Sequence, residues 1–306
     1  MTVVDTAPAD STTTASVRGD VGPSPARRRP AAWWGLTPFA LYVLLFLAVP
    51  CGIALATGFF DATGVPTLDN IAVLGEPAIL GTFVSSFGVS AVSAVIGALV
   101  GAAVCWGLTA LRPDGAVRGM IDSAASVLAQ FGGVMLAFAF IATIGLQGVV
   151  TQLLIQSFGI DIDGAQLYTV RGLVLPYVYF QVPLMVITFM PAVSGLKPQW
   201  QEAVATLGGT WWQHLTKVVV PVLAPAFTGS LLLLFANAFS SYATAAALIS
   251  QGAQIVPLQI RAALVSETVL GRANVAGALA LGMIVVMAAV MIVYSRLQRR
   301  TERWQR

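Results

Sequence analysis

The residues of this chain that could do chemistry are few, and most lie in two places. One is the stretch KPQWQEAVATLGGTWWQHLTKVVVP, residues 197–221, which carries Glu202, Ala203, Leu207, Gly208, Trp211, Trp212, the lone His214 and Pro221. The other is a scatter of uncharged polar residues in apolar sequence: Gln130, Gln181, Asn237, Ser240, Ser241, Tyr242 and Thr244. Neither set is an enzyme's. One histidine cannot build a His-based metal cluster, and it has no partners for a triad. The phosphate-binding pattern G-x-x-x-x-G-K-[ST] does not occur, so any ATP that the work requires is bound by another chain. Cys51 and Cys105 fall in apolar stretches without metal-ligand spacing and read as packing residues. No metal and no cofactor is expected. Amides and hydroxyls in an apolar setting bond to neighbouring helices or to a passing solute. A short acidic helix between two apolar stretches can dock.

The elements that must hold these residues are membrane helices. Of 306 residues, 57% are hydrophobic and only 9% are charged, with a mean hydropathy of +0.84. A soluble domain carries about a quarter of its residues as charges. The net charge of +3 comes with no basic aromatic patch, so no nucleic-acid partner is expected. A spanning helix needs about 20 mostly apolar residues. Six candidates run over residues 35–60, 85–111, 121–145, 172–193, 223–250 and 274–295, the third and fifth interrupted by polar residues. The first is too long and too aromatic for a cleaved signal peptide.

With the N-terminus inside, thirteen Lys and Arg fall in cytoplasmic segments, and only Arg171, Arg261 and Arg272 fall outside. The positive-inside rule therefore puts both termini and the 197–221 stretch in the cytoplasm. Residues 1–32, rich in Thr, Ser, Ala and Pro, are expected to be a disordered tail. Residues 33–297 form the membrane domain, and 298–306 form a basic tail.

Within 197–221, Pro198 suits a first helical position and Gly208 the residue past a helix end. About ten residues lie between, or about 15 Å of helix. The period puts Trp200, Val204 and Leu207 on one face, and Gln199, Glu202 and Thr206 on another. Thr210 is placed to cap a second short helix, and Pro221 is expected to turn the chain into the fifth span. Trp211 and Trp212 are natural interfacial anchors.

This stretch resembles the EAA loop of the inner-membrane permeases of binding-protein-dependent ABC importers. The family pattern is E-A-A-x-x-x-G, then nine residues, then I-x-L-P. Glu202, Ala203 and Val204 stand for E-A-A, Gly208 falls at the right spacing, and Val218, Val220 and Pro221 stand for I, L and P. Leu207 matches the leucine common before the glycine, while Thr206 stands where many members carry Asp. The resemblance implies an all-α MetI-like permease of six transmembrane helices in a bacterial inner (plasma) membrane. It implies a non-enzymatic subunit whose loop seats in a cleft of a cytoplasmic ABC ATPase dimer. It also implies a second permease subunit, either a copy or a paralogue with the paralogue favoured, and an extracytoplasmic solute-binding protein. Under it, Glu202, Ala203, Leu207, Gly208 and Pro221 couple the chain to the ATPase, Glu202 either pairing with a basic group there or capping a local helix.

The rest of the chain suits a packed, moving bundle. Gly97 and Gly101 form a G-x-x-x-G pattern for close helix approach, and Gly132 and Gly133 are expected to act similarly. Pro183 and Pro191 are expected to break or bend the fourth span near Gln181. No convincing ionisable residue lies deep in a span, which argues for coupling energy supplied from outside the membrane. Taken singly, Gln130, Gln181, Asn237, Ser240, Ser241, Tyr242 and Thr244 each read first as an interhelical hydrogen bond; as a group they are assigned to the translocation path. The segments AQFGGVMLAFAFIATIG, YVYFQVPLMVI and LLLLFANAFSSYATAAAL resemble the polyamine-type branch of these permeases, which includes relatives for phosphonates, iron, thiamine and sulfate. The alternatives are an ion-coupled secondary transporter and a membrane scaffold.

Overall fold

The computed structural model describes residues 31–61, 63–112, 115–160, 163–249, 255–265 and 272–302. The tail expected over 1–32 lies outside them except at its last two residues, as does the end of the basic tail from 303. Among the described residues the sole β-pairing is one antiparallel bridge, Phe60 with Pro66. Everything else is helix, turn or coil, as hydrocarbon requires of a chain that must satisfy its own backbone. Six segments are long and apolar enough to cross a membrane.

The chain falls into two units, Met1–Pro50 and Cys51–Arg306. The described part of the first carries most of α1, the span Leu36–Thr57. Its helix loosens into a π-helical stretch, Leu44–Ala48, where Val49 N–H reaches back to Leu44 O. The wide turn comes just before Pro50, whose ring would otherwise crowd the carbonyl four residues back.

The second unit is built on α2, Pro77–Leu108. Pro77 opens it at the first turn, where a missing N–H costs nothing. Next come α3, Ala116–Gln130; α4, Gly133–Ile144; α5, Val149–Phe158; and α6, Val174–Ser194. The loop helix α7, Pro198–Thr206, precedes α8, Trp211–Phe239. Two short helices follow, α9, Ala243–Leu248, and α10, Val256–Val265, and then the long α11, Arg272–Glu302.

Small residues let α2 and α6 approach closely. A Cβ at Gly97 would stand 2.7 Å from Gln181 Cβ, and one at Gly101 would stand 2.5 Å from Met185 Cβ and 2.9 Å from Val182 O. In a bilayer such van der Waals fit replaces the hydrophobic drive, because lipid tails are as apolar as the helices. The G-x-x-x-G pattern thus serves a contact inside the chain.

Buried apolar side chains gather in two clusters. Ala98, Cys105, Met185, Phe189, Leu223 and Leu234 belong to one, toward the cytoplasmic ends of α2 and α6. Leu136, Leu173, Tyr177, Phe180, Ala245 and Leu248 belong to the other, on the outer side. α2 and α6 run through both. On α6 the change falls between Phe180 and Met185, and on α2 between Val89 and Ala94. Between those levels lies a buried polar pair, Gln181 Nε2 donating to Ser93 Oγ at 3.0 Å. At the outer end, Asn70 and Asn274 both donate side-chain amide hydrogens to Phe60 O, at 2.7 and 2.8 Å, tying the start of α11 to the first outer loop.

Five expectations are corrected. The third span is not one helix over 121–145: it stops at Gln130 and restarts at Gly133, and the membrane-length segment is Gly133–Phe158. α3 carries Arg118, Asp122, Ser123, Ser126 and Gln130, too polar for a lipid-facing helix. Gly132 and Gly133 form this break and are no helix-packing pair. The fifth span begins at Trp211, ends at Phe239 and is broken before α9. Pro183 and Pro191 lie inside an unbroken α6. Pro221 does not turn the chain: π-helical Leu215–Val219 widens the helix just before it, as at Pro50, and α8 runs straight on.

The close approach sets a first expected outcome. Gly101→Leu should abolish the α2–α6 fit, lowering the melting temperature of the purified protein by several degrees or preventing its recovery, whereas Gly107→Leu, which has open space, should not.

Candidate functional site

The cytoplasmic loop is rigid by local chemistry. Lys197 is extended, Pro198 starts α7, and Thr206 Oγ1 donates to Glu202 O at 2.9 Å. The helix ends in a Schellman motif, with Gly209 N–H to Val204 O at 2.8 Å and Gly208 N–H to Ala205 O at 3.0 Å. Gly208 takes φ +72°, a left-handed conformation that costs a side chain about 1–2 kcal/mol. A reciprocal cap follows: Gln213 N–H donates to Thr210 Oγ1, and Thr210 N–H donates to Gln213 Oε1 at 2.9 Å. The glycine corner therefore joins two capped helix ends, and the second is the start of α8.

Glu202 and Ala203 are exposed, and among the described residues no side-chain partner is recorded for Glu202. Leu207 does not share the half-buried face of Trp200 and Val204; it sits at the helix end, 87% exposed. Trp212 is 67% exposed and meets Trp211 edge-on, ring centroids 5.0 Å apart. Leu207 and Glu202 thus both stand exposed around the fixed glycine corner. His214 lies just behind, its Nδ1 buried without a hydrogen-bond partner among the described residues.

The second site is where two helices stop. α3 ends at exposed Gln130, and the chain passes through Phe131 and Gly132 to Gly133 at φ +70°. α8 ends at Phe239, and Ser240, Ser241 and Tyr242 separate it from α9. The two breaks meet. Thr244 Oγ1 donates to Gly133 O at 3.2 Å, and Tyr177 Oη, from α6, donates to Ser241 O at 3.0 Å. Ser240 bonds back to its own helix, to Ala236 O at 2.9 Å. Asn237, Ser240 and Tyr242 are exposed, Ser241 is half-buried and Thr244 is fully buried. Gln181 stands apart: fully buried between α2 and α6, it holds Ser93, and its Oε1 has no partner among the described residues.

Non-helical backbone and exposed amides interrupting apolar sequence do not face lipid tails; they face protein or water. The glycine pair 132–133 in an apparent helix was a signal for the break. Nothing in LPYVYFQ marked Tyr177 as its partner.

Residues 153–306 match the family described as binding-protein-dependent transport system inner membrane component. The sulfate transport system permease protein CysT of Escherichia coli (strain K12) is 35% identical over 75 residues, 24% of this chain and 27% of that protein. The same protein of Salmonella typhimurium is 26% identical over 172 residues, 56% of this chain and 59% of its own length. The chain thus spans between about a quarter and three-fifths of these two relatives. The spermidine/putrescine transport system permease protein PotB of Haemophilus influenzae is 22% identical over 269 residues, covering 86% of this chain and 92% of its own. Among solved structures, a chain of a bacterial ABC transporter involved in the import of the acidic polysaccharide alginate superposes with a TM-score of 0.70 at 17% identity, covering 88% of this chain and 95% of that one. A chain of the MetNI methionine ABC transporter in inward-facing conformations gives 0.54 at 15% identity, covering 73% and 95%. At these identities the structures show a shared fold.

The exposure pattern is open to chemical labelling. With Cys51 and Cys105 replaced by serine, cysteines at Asn237 and Ser240 should react with a water-soluble maleimide in the folded protein. Cysteines at Gln181 and Thr244 should stay unlabelled until it is denatured.

Proposed function

The chain belongs to the family of binding-protein-dependent transport system inner membrane components, and from that premise we propose that it forms one half of the membrane pathway of an ATP-driven importer. The observation that carries this reading is the continuity of α8. Its 29 residues start at the capped glycine corner of the cytoplasmic loop and end at the polar break, a reach of about 43 Å. A push on Glu202, Ala203, Leu207 and Gly208 therefore arrives at Ser240 through one helix, with Pro221 absorbed by the π-helical turn.

In this reading the loop seats on a cytoplasmic ABC ATPase dimer, which supplies the energy; the chain itself is not an enzyme. Leu207 offers apolar contact area and Glu202 a charge for a basic group on the ATPase. The path follows Gln130, Asn237, Ser240, Ser241, Tyr242 and Thr244, with Gln181 bracing the helices behind. Exposed amides and hydroxyls at the breaks need a facing surface, and a second permease subunit, a paralogue, would supply the other wall.

The path groups are uncharged hydrogen-bonders, which suit a small polar solute handed over by an extracytoplasmic binding protein that does the selecting. A polyamine-like cation is the substrate class proposed; sulfate and ferric iron, named for relatives of similar distance, are the competing outcomes of a binding screen, with phosphonate and thiamine.

Reconstituted with its ATPase and binding protein, the wild-type chain should take up solute only with ATP. Glu202→Arg should cut that uptake by about tenfold or more, equivalent to about 1.4 kcal/mol of lost coupling, while the bundle stays folded. Gly208→Val should do the same by forcing a branched side chain into the left-handed corner. Normal uptake by both variants, or uptake driven by an ion gradient without ATPase, would overturn the proposal.

A further inference from the structure

We propose that Tyr177 and Thr244 are positioning residues that clasp the two helix breaks, and that α4 and α9 form a jointed outer pair which moves when the clasp yields. The inference deepens the reading of the breaks as the transport path and rests on it for its functional half.

Four helices cross the boundary between the inner and outer cores, and they cross it in two ways. α2 and α6 pass through unbroken, locked together by the Gly97 and Gly101 contacts and by Gln181 on Ser93. The α3–α4 and α8–α9 chains are interrupted, at 131–133 and at 240–242. One pair is a frame and the other is jointed. One joint holds a glycine pair, with Gly133 at positive φ, which tolerates rotation; the other is a short non-helical stretch through Ser240 and Ser241, the first with its hydroxyl bonded back to Ala236 O. Beyond them, α4 and α9 belong to the same core, with Leu136 and Ala137 packed in one cluster with Ala245 and Leu248.

A joint in apolar surroundings frees backbone carbonyls that need donors. At the break after α8 a side chain supplies one; at the other break the accepting carbonyl belongs to Gly133, the first residue of α4 and already an acceptor within that helix, so the bond there is an added tie. Ser241 O takes the hydroxyl of Tyr177, a residue 1% exposed on the frame helix α6. Gly133 O takes the hydroxyl of Thr244, so the second bond ties the two jointed chains to each other. The first bond therefore fixes the pair to the frame, and the second keeps the pair together. Both are single hydroxyl-to-carbonyl bonds, which water or a polar solute entering the break can replace without leaving a charge or an orphan in hydrocarbon. The end of α8 at Phe239 is two residues from the first of them, at Ser241, where motion from the cytoplasmic loop arrives.

Hydrogen exchange on the full-length chain in lipid nanodiscs tests the clasp directly. Tyr177→Phe and Thr244→Val keep shape and remove one hydroxyl each. Each should speed exchange of amides in 134–144 and 243–249 by about tenfold while 94–108 and 184–194 stay as in the wild type. Thr188→Val, which removes a hydroxyl bonded within α6, should change neither region. Unchanged exchange at the breaks, or a rise spread over the whole chain, overturns the clasp. In the reconstituted importer, both clasp variants should raise ATP consumed per solute moved by about threefold, because the loop's motion no longer meets a held joint. A proportional fall of hydrolysis and uptake together would mark a merely structural role and overturn the mechanical half. Failure of the wild type to show ATP-driven uptake would remove the importer reading, and the exchange result would still decide the clasp.

Discussion

In hydrocarbon, a backbone carbonyl or amide that leaves a helix must find another partner, and there is no water to provide one. Long stretches of this chain therefore stay helical, and at three places near departures from helix a side-chain donor meets a backbone carbonyl. Ser241 O has Tyr177, Gly133 O has Thr244, and Phe60 O has two asparagine amides. Where the chain meets a proline in a helix start, at Pro50 and Pro221, the turn before it widens to π geometry and the helix continues.

Seen this way, the cytoplasmic loop and the outer break are two ends of one object. Local capping makes the loop end stiff: a Schellman glycine closes α7 and a reciprocal Thr210–Gln213 cap opens α8. Neither needs the rest of the protein. At the other end α8 gives out among serines, and what holds the chain there is a tyrosine on a different helix. The helix is thus held by local caps at one end and by a single hydroxyl from another helix just beyond the other. The division of the buried side chains into two clusters, with the breaks at their boundary, places that second end where packing changes.

Family membership through residues 153–306 covers the half of the chain that includes the loop, α8, α9 and α11. The fold likeness extends further, over 88% of the chain at 17% identity.

Much was legible from the amino-acid order because it depends on neighbours in the chain. The six apolar stretches, the α7 helix from Pro198, the left-handed Gly208 and the Thr210 cap are all local events, read from residues within a few positions of one another. The breaks were legible only as polarity: Gly132–Gly133 and Asn237 to Thr244 disturbed their stretches without saying that the helices would stop. The bonds that hold the two breaks come from far along the chain, Tyr177 lying 64 positions from Ser241 and Thr244 111 positions from Gly133. The same holds for Gln181, whose polarity is plain in the sequence while its burial against Gly97 and its bond to Ser93 are set by the meeting of α2 and α6. Sequence by itself determined class, span number, sidedness and the capped helical loop before α8, since hydropathy, charge and caps act over short range. Tertiary structure decided which polar residues face one another, since that is set by the meeting of helices far apart in the chain.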